Sequence, residues 1–328
     1  LGGQVTLQLV GGTSLMPLST AGKDPPGIDV QFGRILARAE KTGGAALRVK
    51  VGDRSWLCRF ADPDSVVAIE VVRTEASGDP ETQPGPLIAD VYVTSGSVVW
   101  QGGSAGREVE LKAPVRLTLL DRPVEPVVLQ QVPRWVSGET FSALDQRAAA
   151  VLERGVVLGR SAMLTLRELT GYRQREVRWL ATRGLSLVED YEPLLAALED
   201  IDQVRFWSDY LDELRAAIFR SPQGAAKVRT TMEQHYGPQG AALYEMFWRY
   251  RPETLRPEDV NRLVDFLGND SLPFRILSFW NLKSLYDNRT LYYRPEDPPA
   301  RRQAAVQKWR ELLKASPTPR SSLAAPME

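Results

Sequence analysis

Near Pro133 the rhythm of apolar residues changes, and with it the secondary structure the chain can adopt. Upstream of that point apolar and polar residues alternate, which is the period of a strand with one buried face. Val5-Thr6-Leu7-Gln8-Leu9 sets three apolar side chains on one side, and Ile28-Asp29-Val30-Gln31-Phe32 does the same before Gly33 interrupts and a further run follows to Arg38. Short runs at 47–51, 56–60, 66–72, 91–93, 98–100, 109–111 and 115–120 repeat the pattern. They are rich in β-branched residues and separated by Gly, Asp, Ser and Pro. Residues 1–135 therefore predict an all-β domain, a β-sandwich or jelly roll or a short β-solenoid.

An internal echo sits in this half. DVQFGRIL at 29–36 resembles DVYVTSGSVVW at 90–100, each read as strand, glycine turn, strand. Between them, SGDPETQPGP at 77–86 reads as a loop with no apolar residue to bury. The pairs Gly2-Gly3, Gly11-Gly12, Gly43-Gly44 and Gly102-Gly103 read as hairpin tips, since none belongs to a phosphate-cradling loop. Asp62-Pro63-Asp64 reads as a turn.

Downstream the period is helical. Trp207, Tyr210, Leu211, Leu214 and Ile218 share one face. Ser137 or Thr140 is placed to cap a helix running to about Glu153, and Pro257-Glu258-Asp259 opens a short helix that Gly268 ends. Asp297-Pro298-Pro299 opens the last helix, with Val306, Trp309 and Leu313 on a common face. About seven to nine helices are expected in an α-helical domain over 136–315. The small, polar, Pro-containing tail at 316–328 is expected to be disordered.

Charge excludes some functions. The 41 Lys+Arg balance 41 Asp+Glu, which argues against nucleic-acid binding through phosphates and against a polybasic membrane anchor. One cysteine, Cys58, leaves no intrachain disulfide or Cys-rich zinc site, and one histidine, His235, leaves no multi-histidine metal site. No metal or cofactor is expected. No run of about 18 apolar residues is present to span a bilayer. The chain starts at Leu1, and a signal or membrane anchor upstream of it is an expectation.

Several residues are candidates for chemistry. His235 lies in EQHYG near a helix C-terminus, without a G-x-S-x-G elbow, and reads as a capping or surface histidine. Glu189, Asp190 and Glu192, with Glu199, Asp200 and Asp202, lack calcium-loop spacing and read as helix N-terminal carboxylates. Asp200/Arg205 and Asp270/Arg275 read as links between adjacent helical units. Trp179, Trp207, Phe279, Trp280 and Trp309 fall at helical spacing and read as core. Phe247-Trp248-Arg249-Tyr250-Arg251, with Arg256, mixes aromatic rings and guanidinium groups as contact surfaces do. Trp248, Arg249, Tyr250 and Arg251 are the candidate binding residues, and no catalytic carboxylate pair stands out.

Three resemblances follow from quoted residues. Asp200, Val204-Arg205 and Ser208 recur as Asp270, Phe274-Arg275 and Ser278, and this spacing resembles the second helix of HEAT-type repeats over roughly 194–285. LPFRILSFWNL at 272–282, with Tyr293 to Arg301 and Trp309, resembles the end of a helical domain common in planctomycete proteins. The hairpin around Gly33 and its following strands are similar to the FecR-type regulator domain. These resemblances imply an extracytoplasmic, membrane-anchored location and binding through a broad surface, and they supply no catalytic residues. The expected function is a non-catalytic interaction or sensor module that recognises a protein or cell-envelope component. The rivals are a hydrolase of envelope polymers acting through paired carboxylates and an intracellular helical-repeat scaffold.

Overall fold

A sheet with one apolar face must find cover for it, and where no second layer is supplied it curls onto itself. The computed structural model of the protein describes residues 5–19, 24–40, 44–75, 78–102, 108–119, 125–137, 142–157 and 159–315. These fall into two compact units, one of Leu1–Thr74 with Gly85–Thr140 and one of Glu75–Pro84 with Phe141–Glu328. The first unit holds β1 (Val5–Leu18), β2 (Gly27–Ala39), β3 (Ala46–Val51), β4 (Arg54–Phe60), β5 (Val66–Arg73), β6 (Leu87–Ser95), β7 (Ser97–Gly102), β8 (Glu108–Lys112), β9 (Val115–Leu119) and β10 (Val127–Val128). They form one mixed, ten-stranded sheet in the order β10-β9-β6-β5-β2-β3-β4-β7-β8, with β1 on β2. The β2/β3 pair is parallel, joining Gly27–Asp29 to Arg48–Lys50. The far half of β2 pairs antiparallel with β5. The sheet thus has two arms that meet at β2. Leu47, Trp56 and Trp100 from one arm and Ile69, Val91 and Leu117 from the other lie in a single core. The unit is a curled, open half-barrel wrapped around that core.

Two glycines explain how the strands bend. Gly33 lies within the continuous strand β2 at φ +104°, and a Cβ there would meet Thr13 at 2.5 Å. Thr13 Oγ1 accepts from the Arg34 N–H at 2.9 Å and donates toward the Arg34 carbonyl at 3.0 Å. At the second copy of the echo, Gly96 has φ +68° and a Cβ would meet Ser65 Oγ at 2.5 Å. Ser65 Oγ accepts from the Ser97 N–H at 3.1 Å and donates to the Ser97 carbonyl at 2.8 Å. In both copies a hydroxyl engages both backbone groups of the residue after the glycine. The pairing repeats as well: the halves of β1 pair with the halves of β2, and β5 and β4 pair with β6 and β7. The echo is therefore real in space, but its glycines are bends in paired ribbons and not turns joining a strand to its own partner. Gly11 and Gly12 likewise lie inside β1, where the ladder slips, and not at a hairpin tip. Gly2, Gly3, Gly43, Gly103, Thr140 and the tail at 316–328 lie outside the described residues.

On the outer face Leu36, Ala68 and Tyr92 are cross-strand neighbours. Leu129 and the short helix α1 (Arg134–Ser137), through Trp135 and Val136, pack over them.

The second unit is helical: α2 (Ala143–Gly155), α3 (Ala162–Leu169), α4 (Arg175–Leu187), α5 (Glu192–Glu199), a 3-10 turn (Ile201–Phe206), α6 (Trp207–Arg220), α7 (Pro222–Tyr236), α8 (Gly240–Glu245), α9 (Pro257–Phe266), α10 (Leu272–Leu285) and α11 (Pro299–Ala315). The ten α-helices among its described residues exceed the expected number, because α3, α5 and α8 are short pieces of eight, eight and six residues. Ser142, rather than Ser137 or Thr140, caps α2, in a reciprocal capping box with Asp145. Trp207, Tyr210, Leu211, Leu214 and Ile218 are all buried, as their spacing predicts. Helix α10 packs against α5, α6, α8 and α9, and buries residues on more than one side. An open stack would confine each helix pair to its sequence neighbours. Here α10 gathers α5, α6, α8 and α9 around one core running from Tyr191 to Leu313, while Leu166, Ala181 and Leu185 of α3 and α4 form a separate cluster.

Candidate functional site

A cavity of about 390 Å³ opens among α3, α4, α5, the 3-10 turn and α6. Asp200 ends α5 and starts its wall. Its carboxylate accepts from the Asp202 N–H at 2.9 Å and from Arg178 Nη1 at 2.8 Å. Behind it Gln203 and Tyr210 are 1% and 0% exposed. The Gln203 amide turns its oxygen to the guanidinium, which can only donate, and accepts from Arg178 Nε at 3.0 Å and Nη2 at 3.1 Å. Its NH₂ then donates to Tyr210 Oη at 2.7 Å. Burial pushes the Tyr210 hydroxyl well above its ordinary pKa, against the pull of Arg178, so it stays neutral. Arg167, Thr170 and Glu192 stand at the same cavity, with Pro193, Ala196 and Ala197 as its apolar part. Arg167 is itself held by Asp190 at 2.7 Å. The arrangement offers fixed donors and acceptors of both charges, and no histidine or cysteine lines it.

The remaining candidates divide. Asp200 and Arg205 do not pair with each other: Asp200 holds Arg178, while Arg205 reaches Glu176 at 3.1 Å, so both tie their segment to α4. Arg275 donates to the backbone carbonyls of Asn269, Asp270 and Pro295 at 2.6–2.8 Å. His235 sits in the last turn of α7, where its Nε2 lies 3.6 Å from Glu199 and its Nδ1 4.0 Å from Glu192. Among the described residues no group of three His, Cys, Asp or Glu could hold a metal ion, and no helix is long and apolar enough to cross a membrane. Cys58 is buried in the β core, and burial pushes its thiol up to about 12.

The aromatic–arginine segment is mostly committed inward. Phe247 and Tyr250 are in the helical core, and Trp248 packs against it. Arg249 reaches Glu245 at 3.1 Å and Asp259 at 3.7 Å, with a third of its side chain exposed. The Arg251 side chain is only 13% exposed and lies 3.4 Å from Glu75. Two features escape a reading of the sequence. Gln203 and Tyr210 meet because the 3-10 turn that carries Gln203 runs directly into α6 and sets the two side chains together. Asp209 and Asp212, one turn apart on α6, have no flanking motif to mark them.

No protein-family model matches this chain, and no curated protein matches it.

Proposed function

We propose that this chain is a non-catalytic recognition module that acts outside the cytoplasm on a protein or cell-envelope component. The observation that carries this reading is the cavity wall of Arg178, Gln203 and Tyr210, a hydrogen-bonding surface fixed before any ligand arrives. The FecR-like and HEAT-like residue patterns support the envelope setting. The test fills the cavity from its exposed rim. Wild-type protein, immobilised and challenged with purified envelope components, should retain one of them unchanged in mass, and the Ala196→Trp variant should not. Equal retention by the filled variant would remove the cavity from the account.

One observation favours a second reading, a hydrolase of envelope polymers. Burial raises the proton affinity of Asp209 against the pull of Arg183, and partial burial followed by the charge of Asp209 raises that of Asp212. The two residues lie three positions apart on α6, so they are neighbours on the helix surface. Release of reducing ends from an envelope polysaccharide, lost in both Asp209→Asn and Asp212→Asn, would establish it over the first.

A further inference from the structure

The chain between β5 and β6 does more than join two strands. Hairpin loops commonly take about 2–5 residues, whereas here the ten residues Glu75–Pro84 belong to the helical unit. The excursion is closed at its base, where Thr74 N–H donates to the Pro86 carbonyl at 2.9 Å. Beyond that base its acidic side chains are all matched within the helical unit. Glu75 pairs with Arg215 of α6 and lies 3.4 Å from Arg251. Asp79 Oδ1 accepts from Tyr244 Oη of α8 at 2.8 Å. Glu81 accepts from Arg229 of α7 at 3.2 Å. Pro80, between the last two acids, is buried. The tip is also stiffened from within, because the Asp79 carbonyl accepts from the N–H groups of Thr82 and Gln83 at 3.1 and 2.8 Å.

Those contacts have the form of a peptide complex: a buried proline anchor flanked by two acids, one on a guanidinium and one on a buried phenol. Proline and the internal turn reduce the conformational freedom lost on docking. Burial, then the bond to Asp79, raises the Tyr244 hydroxyl far above its usual range, so it serves the carboxylate as a donor. Arg251, a candidate binding residue on composition alone, is already engaged by Glu75.

We propose that the face formed by Arg229, Tyr244, Arg215 and Arg251 is a recognition site for an acidic peptide with an Asp-Pro-Glu core, and that Glu75–Pro84 occupies it as a tethered internal ligand. A partner segment of this chemistry displaces the strap. Tethering gives the strap an effective concentration of roughly millimolar order, so the intact chain answers only to a partner that outcompetes it. This inference rests on the recognition reading above by naming a partner chemistry, but it uses a different face from the cavity, so the two can fail separately.

The experiment uses the full chain and a fluorescein-labelled synthetic peptide, RTEASGDPETQPGP, copied from residues 73–86. The D79N/E81Q chain retains Pro80 and the strap length. It is expected to bind the peptide saturably, at least tenfold more tightly than wild type. Adding Y244F and R229A to that chain should abolish the binding. Circular dichroism and tryptophan emission establish that each variant is folded, and an unfolded double variant is replaced by E81Q alone. No saturable binding to a folded strap variant, equal binding by wild type, or binding indifferent to Y244F/R229A would overturn the proposal. Loss of envelope binding by Ala196→Trp bears on the cavity and leaves this result unaffected.

Discussion

At the scale of single residues, the strongest constraints are backbone positions and desolvated charges. Gly33 adopts φ +104° with the Thr13 Cα 2.5 Å from where a Cβ would stand, so no side chain fits without moving the β1 backbone. Gly33→Ala should lower stability by roughly 1–3 kcal/mol or more, as strain at such positions does, read as a shift in the urea midpoint. Gly44, also at positive φ but with nothing within 4 Å, is the milder control. Asp209 shows how a charge can oppose folding. Its carboxyl holds a proton more tightly in the native state than in the unfolded chain, so native stability falls as pH rises from the ordinary aspartate range through that raised value. Asp209→Asn should therefore be more stable than wild type at pH 7, and the gain should vanish in acid, as urea titrations at the two pH values will show. Neither effect is written in the sequence: Gly33 looks like a turn, and Asp209 like any solvated acid on α6. The two arginines proposed from sequence as binding residues also separate here. Arg251→Ala removes one of the two arginine partners of Glu75 and the Nε–H bond to the Trp248 carbonyl. It should lower the melting temperature, whereas Arg249→Ala should leave it nearly unchanged.

Among elements, periodicity carried most of the information. Each alternating run marked a strand, because one face of each of β1 to β9 meets the same core. The second half of β1, Ser14-Leu15-Met16-Pro17-Leu18, carries no strand signal in the sequence because proline and methionine blur its alternation, and it pairs only with β2. Helix faces were legible where one side is buried, as in α6, and illegible where several are, as in α10. The start of α2 was misplaced because three hydroxyl residues precede it and only Ser142 has Asp145 three positions on. Ser142→Ala should cost about 1 kcal/mol and accelerate amide exchange in the first turn of α2 without altering that of α6. The cavity was invisible in the sequence for a related reason. Arg178 and Gln203 are 25 positions apart, and nothing in either neighbourhood announces the other.

For the molecule as a whole, each half builds a core of its own: residues 5–119 in the sheet and residues 191–313 in the bundle. Leu214, fully buried in the bundle, should cost about 2–5 kcal/mol when cut to alanine, visible as an earlier loss of ellipticity at 222 nm. The period changes near Pro133, between the last strand and the first long helix, whereas Glu75–Pro84 belongs to the helical unit. SGDPETQPGP looked like bare loop because its only apolar anchor is a proline, and its Tyr244 partner lies 165 positions away. The helical half is thus encoded in two stretches of gene, one of them set within the code for the sheet. Anyone transplanting that half onto another scaffold by a single cut would leave behind the fragment that Arg229, Tyr244 and Arg215 grip, and would have to supply it as a second piece.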